Sequence, residues 1–217
     1  MRLRELDQRS HPFLGLYFAL LIPTIALLIL FGKGQIHLFI NRFHSPAADQ
    51  FFKLATHLGD PLFLLAVALM LLLRDWRKSL LLGVNTALCG GVVSLIKAIL
   101  IDDMRPFKFF QYFNAPLHFV EGIRLHEYNT FPSGHTALAF GTFFLLSVFA
   151  ARKTATVVFF FLAVLVGYSR MYLSMHFLID VTVGSVLGLI IAITLYLFSH
   201  TSRGRKLVRL PMEQERL

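Results

Sequence analysis

Six apolar runs, most of them about as long as a bilayer is thick, limit what this chain can become. They cover residues 13–31, 61–73, 80–101, 133–151, 155–173 and 177–198. A helix needs about 20 apolar residues to cross the hydrocarbon core, and within that core helices satisfy their own backbone polar groups. The expectation is therefore an all-α polytopic membrane protein with six transmembrane helices, forming a single domain over residues 1–217. The second run is short, and is expected to tilt or to use Arg74 and Trp76 as interfacial anchors. Only 15% of the residues are charged against 56% hydrophobic, too little polar surface for a soluble domain. The first run is too long for a signal-peptide core and has no small-residue cleavage site after it, so it reads as a retained anchor. Pro23 is expected to kink it.

The formal charge is +9, but the basic residues do not form a stripe interleaved with aromatics, which argues against nucleic acid as a partner. They collect at helix ends instead. With the N-terminus inside, the cytoplasmic segments hold Arg2, Arg4, Arg9, Arg74, Arg77, Lys78, Arg152, Lys153, Arg203, Arg205, Lys206, Arg209 and Arg216. The outer segments hold Lys33, Arg42, Lys53, Lys97, Arg105, Lys108, Arg124 and Arg170. Thirteen against eight places both termini in the cytoplasm and suits a bacterial inner membrane. Cys89 is the single cysteine, which excludes an intrachain disulfide and indicates no thiolate metal site.

Two outer loops carry structure of their own. Ser45-Pro46 with Asp49 marks a helix start, and Phe51, Phe52, Leu54, Ala55 and Leu58 follow at helical spacing. Either a short interfacial helix or a water-side extension of the second run fits this pattern. Asp60-Pro61 is expected to cap that second run. The loop at 102–131 is long enough to suggest a function. Its aromatics Phe107, Phe109, Phe110, Tyr112 and Phe113 suit the headgroup level, as a surface admitting lipid or as simple anchors.

Ionisable groups inside the spans need a partner or a purpose. Lys97 lies about one turn from the outer end of the third run and can snorkel. Asp180 is too short to do so. His176 precedes it by four residues on the same helical face, so the carboxylate can hold one imidazole nitrogen and leave the other as a nucleophile. Pro132-Ser133-Gly134-His135 opens the fourth run as a helix start with free N–H groups, suited to an anion. Lys97, Arg105, Ser133, His135, Arg170, His176 and Asp180 all map to one membrane boundary, which points to a single site. Gly184 and Gly188, with Ala137 and Gly141, are spaced for close helix approach within the monomer. The remaining histidines read as interfacial groups, and Glu121, Arg124 and Glu127 either touch a headgroup or are solvated loop charges, the latter being the simpler reading.

Three segments in order, Lys97 to Arg105-Pro106, Pro132 to His135, and Ser169-Arg170 to His176 and Asp180, resemble the motifs of the phosphatidic acid phosphatase type 2 superfamily. The likeness in motifs spans residues 97–180. The second and third segments match fully. The first holds seven residues between Lys97 and Arg105 where the family has six, which would turn Lys97 by about 100° on an ideal helix.

The resemblance implies a membrane lipid phosphatase acting on a phosphomonoester or terminal phosphate. Undecaprenyl diphosphate, lipid A, phosphatidylglycerophosphate and phosphatidate are the candidate substrates. It further implies that His176 forms a phosphohistidine supported by Asp180, and that His135 is the general acid and then the base. Lys97, Arg105, Ser133, the Gly134 backbone and Arg170 would hold the phosphate, with no metal or other cofactor. A lipid-to-lipid phosphotransferase would use the same residues. A transporter would place its charges nearer the midplane, and a haloperoxidase-like use of the pocket fits a multi-span chain poorly.

Overall fold

The structure is a computed structural model that describes residues 3–99 and 103–201, with side chains from Pro12 onward. Arg2, residues 100–102 and the basic tail from Arg203 to Arg216 lie outside the described residues, so the charges expected there are not placed. Every regular element among the described residues is helical: α1 (Leu3–Leu30), α2 (Lys33–Asn41), α3 (Pro46–Ala55), a 3₁₀ turn (Thr56–Gly59), α4 (Pro61–Leu72), α5 (Trp76–Ile99), α6 (Pro106–Tyr112), α7 (Gly134–Ala150), α8 (Lys153–Tyr172) and α9 (Leu178–Ser199).

The protein is an integral membrane protein, with four to five candidate spans by length and composition among the described residues. Among the described residues, four helical stretches are long and apolar enough to cross a bilayer: Pro12–Leu30, Trp76–Ile99, Lys153–Tyr172 and Leu178–Ser199. A fifth arises if Pro46–Gly59 and Pro61–Leu72, bent by 55° at Asp60, are taken as one broken span. Alone, the 12 residues of α4 reach only about 18 Å. Helix α7 has 17 residues and is short because it begins below the cavity described next. It runs through the centre, packed by α1, α5, α8 and α9, so its length is not set by lipid.

The core follows from this arrangement. Phe140, Phe143, Phe144 and Val148 of α7 meet Phe13 and Tyr17 of α1, Leu82 of α5, Phe160 and Val166 of α8, and Leu189 and Tyr196 of α9. Phe13 stands edge-on to both Phe144 and Phe160. The outward faces of α1 and α4 are apolar too: Ile22, Ile29, Leu62 and Leu73 are widely exposed. An exposed apolar band of that extent has lipid as its natural solvent.

Glycines bring α7 and α9 to backbone contact. A Cβ at Gly188 would overlap the Ala137 carbonyl oxygen, and one at Gly184 would stand 2.5 Å from that of Ser133. The expected small-residue pairing is thus used inside the monomer.

Short elements fill the loops. Lys33–Asn41 forms a helix that sequence periodicity did not reveal, and the 102–131 loop contains α6. Its aromatics divide: Phe110 is buried against His37 and Phe177, whereas Tyr112 and Phe113 are exposed. Asn41 pins the loop by donating to the His118 carbonyl at 2.9 Å and accepting from its N–H at 2.8 Å. Helix α1 continues through both Pro12 and Pro23 to Leu30 without ending.

Candidate active site

The C-terminal ends of α5 and α8 and the N-terminal ends of α7 and α9 meet at one end of the bundle. Helix α8 stops at Tyr172, and Ser174 takes a left-handed conformation with φ of 54°. That turn folds the chain back so that the N–H groups of Met175 and His176 both donate to the Arg170 carbonyl, at 3.0 and 3.2 Å. His176 is thereby set beside Arg170 before α9 begins.

Behind His176 lies a buried polar relay. The Asp180 carboxylate accepts from the Phe177 N–H at 2.8 Å and, in a short bond, from the Thr130 hydroxyl. His176 Nδ1 is 3.3 Å from the Thr130 oxygen and 3.5 Å from Asp180 Oδ2. Because Thr130 donates to the carboxylate, its oxygen is left to accept from Nδ1–H. This tautomer keeps the lone pair on Nε2, which bonds to none of the described residues, while the ring lines the cavity. Burial, then the neighbouring Arg170, Arg105 and Lys97 charges, push the His176 pKa well below the usual histidine range. The ring is neutral at neutral pH, the form a nucleophile requires.

His135, in the first turn of α7, lines the same cavity. Its Nε2–H donates to Asp60 Oδ1 at 2.8 Å, and Asp60 Oδ2 accepts from His57 Nδ1–H at 2.5 Å. The α7 start is tied to the α9 start by the Ser133 N–H donating to the Asp180 carbonyl at 3.0 Å.

The cavity measures about 470 Å³ and is lined by Lys97, Arg105, Gly134, His135, Arg170 and His176 together with Lys53, His57, Arg124 and His126. Among the described residues no carboxylate lines it. Arg170 is buried; one guanidinium nitrogen donates to Thr56 Oγ1 at 2.8 Å, and its Nε has no partner among the described residues. Arg105 donates to the carbonyls of Tyr128, Asn129 and Met175. Lys97 reaches the Asn129 carbonyl at 2.9 Å, so the extra residue before Arg105 does not turn it away. Ser133 is placed differently from the rest. Its hydroxyl accepts from the Thr136 N–H, pairs with the Thr136 hydroxyl at 2.8 Å, and is fully buried outside the cavity lining.

The sequence profile of the PAP2 superfamily matches residues 78–203, more than half of the chain and all three motif segments. This chain belongs to the PAP2 superfamily. The crystal structure of Aquifex aeolicus LpxE is similar, with a TM-score of 0.67 and 26% identity over 75% of this chain and 93% of that one. The PAP2-type phosphatidylglycerolphosphate phosphatase from Bacillus subtilis shares the fold, with a TM-score of 0.56 and 23% identity over 87% and 96% of the two chains. No curated protein matches the chain.

Several residues at this PAP2 site carried no signal in the sequence. Thr130 sits two positions before the Pro-Ser-Gly-His segment and looks like an ordinary loop threonine. Asp60 was expected to cap α4, yet it makes no side-chain cap bond there; its carboxylate faces the two imidazoles instead. His126, expected as an interfacial group, lines the cavity, as does Arg124, for which headgroup contact was the second of two expectations.

Proposed function

We propose that this PAP2 protein hydrolyses the phosphate of a membrane lipid through a phosphohistidine on His176. The observation that carries the reading is the shared cavity in which the His176 and His135 rings stand among Lys97, Arg105 and Arg170, with no lining carboxylate among the described residues. In the first step Nε2 attacks phosphorus, the bond to the lipid oxygen breaks, and protonated His135 gives that oxygen its proton. In the second, neutral His135 takes a proton from water, the hydroxide attacks phosphorus, and the P–N bond breaks to release phosphate. Each role of His135 supports a rate gain of about 10²- to 10⁴-fold. Asp180 and Thr130 hold Nδ1 and stabilise the charge that forms on the ring.

Lys97, Arg105, Arg170 and the Gly134 backbone hold the non-bridging oxygens, and the unpartnered Arg170 Nε is one donor ready for them. Ser133 can join them only by releasing Thr136. Charge stabilisation and positioning do most of the work in phosphoryl transfer, and here side-chain cations supply the positive charge without a metal ion. Thr130→Val is expected to lower kcat about 10- to 100-fold with little change in KM, since a hydrogen bond to a charged group is worth about 1.5–3 kcal/mol.

We place the site at the outer face of a bacterial inner membrane with both termini inside. Arg74 and Arg152, in the turns between α4 and α5 and between α7 and α8, and Arg77, Lys78 and Lys153, in the first turns of α5 and α8, fall at the opposite end of the bundle, which supports that orientation.

On the cavity rim, Lys53 and Arg124 add cations beyond those around His176. Arg124 has no ion pair or hydrogen bond among the described residues. Burial and the surrounding Arg105, Arg124, Arg170 and Lys97 push the His126 pKa down. This surplus favours a lipid with a second negative group near the scissile phosphate. Phosphate release by the purified protein, from polyprenyl diphosphate, phosphatidylglycerophosphate, a lipid A phosphate and phosphatidate, tests the reading. Arg124→Ala is expected to cut kcat/KM about tenfold for the doubly anionic lipids and to leave phosphatidate nearly unchanged. Equal losses on all four would remove the rim from the argument. Repeating the assay with an acceptor lipid separates hydrolysis from phosphotransfer: a transferase releases free phosphate poorly without one.

A further inference from the structure

The break between α3 and α4 lies at the catalytic end of the bundle, and every polar side chain in it turns toward the site. Thr56 accepts from Arg170, His57 lines the cavity, and Asp60 receives N–H bonds from both His57 and His135. The backbone is pressed close as well. A Cβ at Gly59 would fall 3.1 Å from the His135 carbonyl oxygen, 3.2 Å from His135 Cβ and 2.5 Å from Val166 Cγ1. Only a residue without a side chain lets this turn seat against α7 and α8. Pro61 then starts α4 with no need of its missing N–H, which leaves the Asp60 carboxylate free of capping duty.

We infer that residues 56–60 are a fourth arm of the catalytic machinery, with Asp60 as the positioning carboxylate of His135. Asp60 gives His135 the kind of support that Asp180 gives His176. It receives Nε2–H, which sets the ring plane and the resting tautomer. Nδ1 bonds to none of the described residues, on a ring that lines the cavity. When Nδ1 takes up the acid proton, the carboxylate at 2.8 Å stabilises the imidazolium; when that proton passes to the leaving oxygen, Nε2–H stays on Asp60. His57 holds the second carboxylate oxygen and so keeps Asp60 from rotating away. Asp60 touches no substrate and acts through the histidine alone.

This inference rests on the phosphatase reading, and its test separates the two. The purified wild type, Asp60→Asn, His57→Ala and His176→Ala are assayed on phosphatidate and on p-nitrophenyl phosphate. Both present a phosphoryl group, but p-nitrophenolate leaves without needing a proton. Because kcat/KM reports the steps through leaving-group departure, a weakened general acid lowers it for the alkyl ester and spares the aryl ester. Asp60→Asn is nearly isosteric, and is expected to lose about 100-fold in kcat/KM on phosphatidate and only a few-fold on p-nitrophenyl phosphate. Its melting temperature should stay near that of the wild type. His57→Ala should show the same asymmetry at roughly a tenth of the size. Equal losses on both substrates would make Asp60 merely structural, and no loss on either would remove it from the site; both overturn the inference. Retained activity in His176→Ala would instead bring down the phosphatase reading beneath it.

Discussion

Replacing His176 with alanine is expected to leave a folded, membrane-inserted protein whose lipid phosphatase turnover has dropped by at least about 10⁴-fold. The size of the effect follows from the chemistry: His176 is the imidazole of the cavity that is held from behind by the buried Thr130–Asp180 pair and open at Nε2. The fold should survive because the polar relay closes on itself without the ring. Asp180 still accepts from Thr130 and from the Phe177 N–H, so removing the imidazole strands no buried charge that was previously satisfied. Asp180→Asn is expected to approach the same loss from the other side. The amide keeps the shape but removes the charge that stabilises the imidazolium, and its NH₂ competes with the Thr130 hydroxyl as a donor. A rapid-quench experiment with labelled lipid phosphate reads the mechanism directly. The wild type should accumulate an acid-labile, base-stable phosphoprotein, and His176→Ala none. Full turnover, or labelling, in that variant would end the nucleophile assignment.

The second large effect is expected far from any charge. Gly188→Ala adds one methyl group where the Ala137 carbonyl oxygen already stands. The obstacle is backbone, so no side chain can rotate aside, and α7 and α9 must move apart along their contact. Overpacking of this kind costs about 1–3 kcal/mol, or roughly 2–12 °C in melting temperature for a chain of this length. Gly90→Ala is the control, since a Cβ there meets nothing within 4 Å. Melting in detergent with parallel activity assays should separate the two glycines, and Gly188→Ala should lose activity below its melting point. If both variants behave as the wild type, the close approach of α7 and α9 is not what holds the site together.

What could be read from the sequence was what membranes make conspicuous. Asp180 and Lys97 stand out because charge in an apolar run needs a reason, and His176 and His135 stand out by their spacing to other polar groups. The helix faces were legible for the same reason, and the spans over 80–101, 155–173 and 177–198 fall within a few residues of α5, α8 and α9.

Residues whose local role looks complete were not legible. Asp60 before Pro61 reads as a cap, Thr130 reads as loop, and Gly59 reads as a turn; only the bent α3–α4 pair shows what they face. Short helices such as α2 and α6 span too few turns to display a period. The extra residue after Lys97 misled because its effect was judged from the turn of an ideal helix alone, whereas the lysine's long stem reaches the Asn129 carbonyl.

The missing side chain at residue 188 also bears on how such proteins can be rebuilt. A nucleophile grafted in on a foreign α9 would arrive at the wrong depth unless positions 184 and 188 came with it as glycines. Transplanting this chemistry therefore means moving a whole two-helix weld, not a short string of catalytic letters.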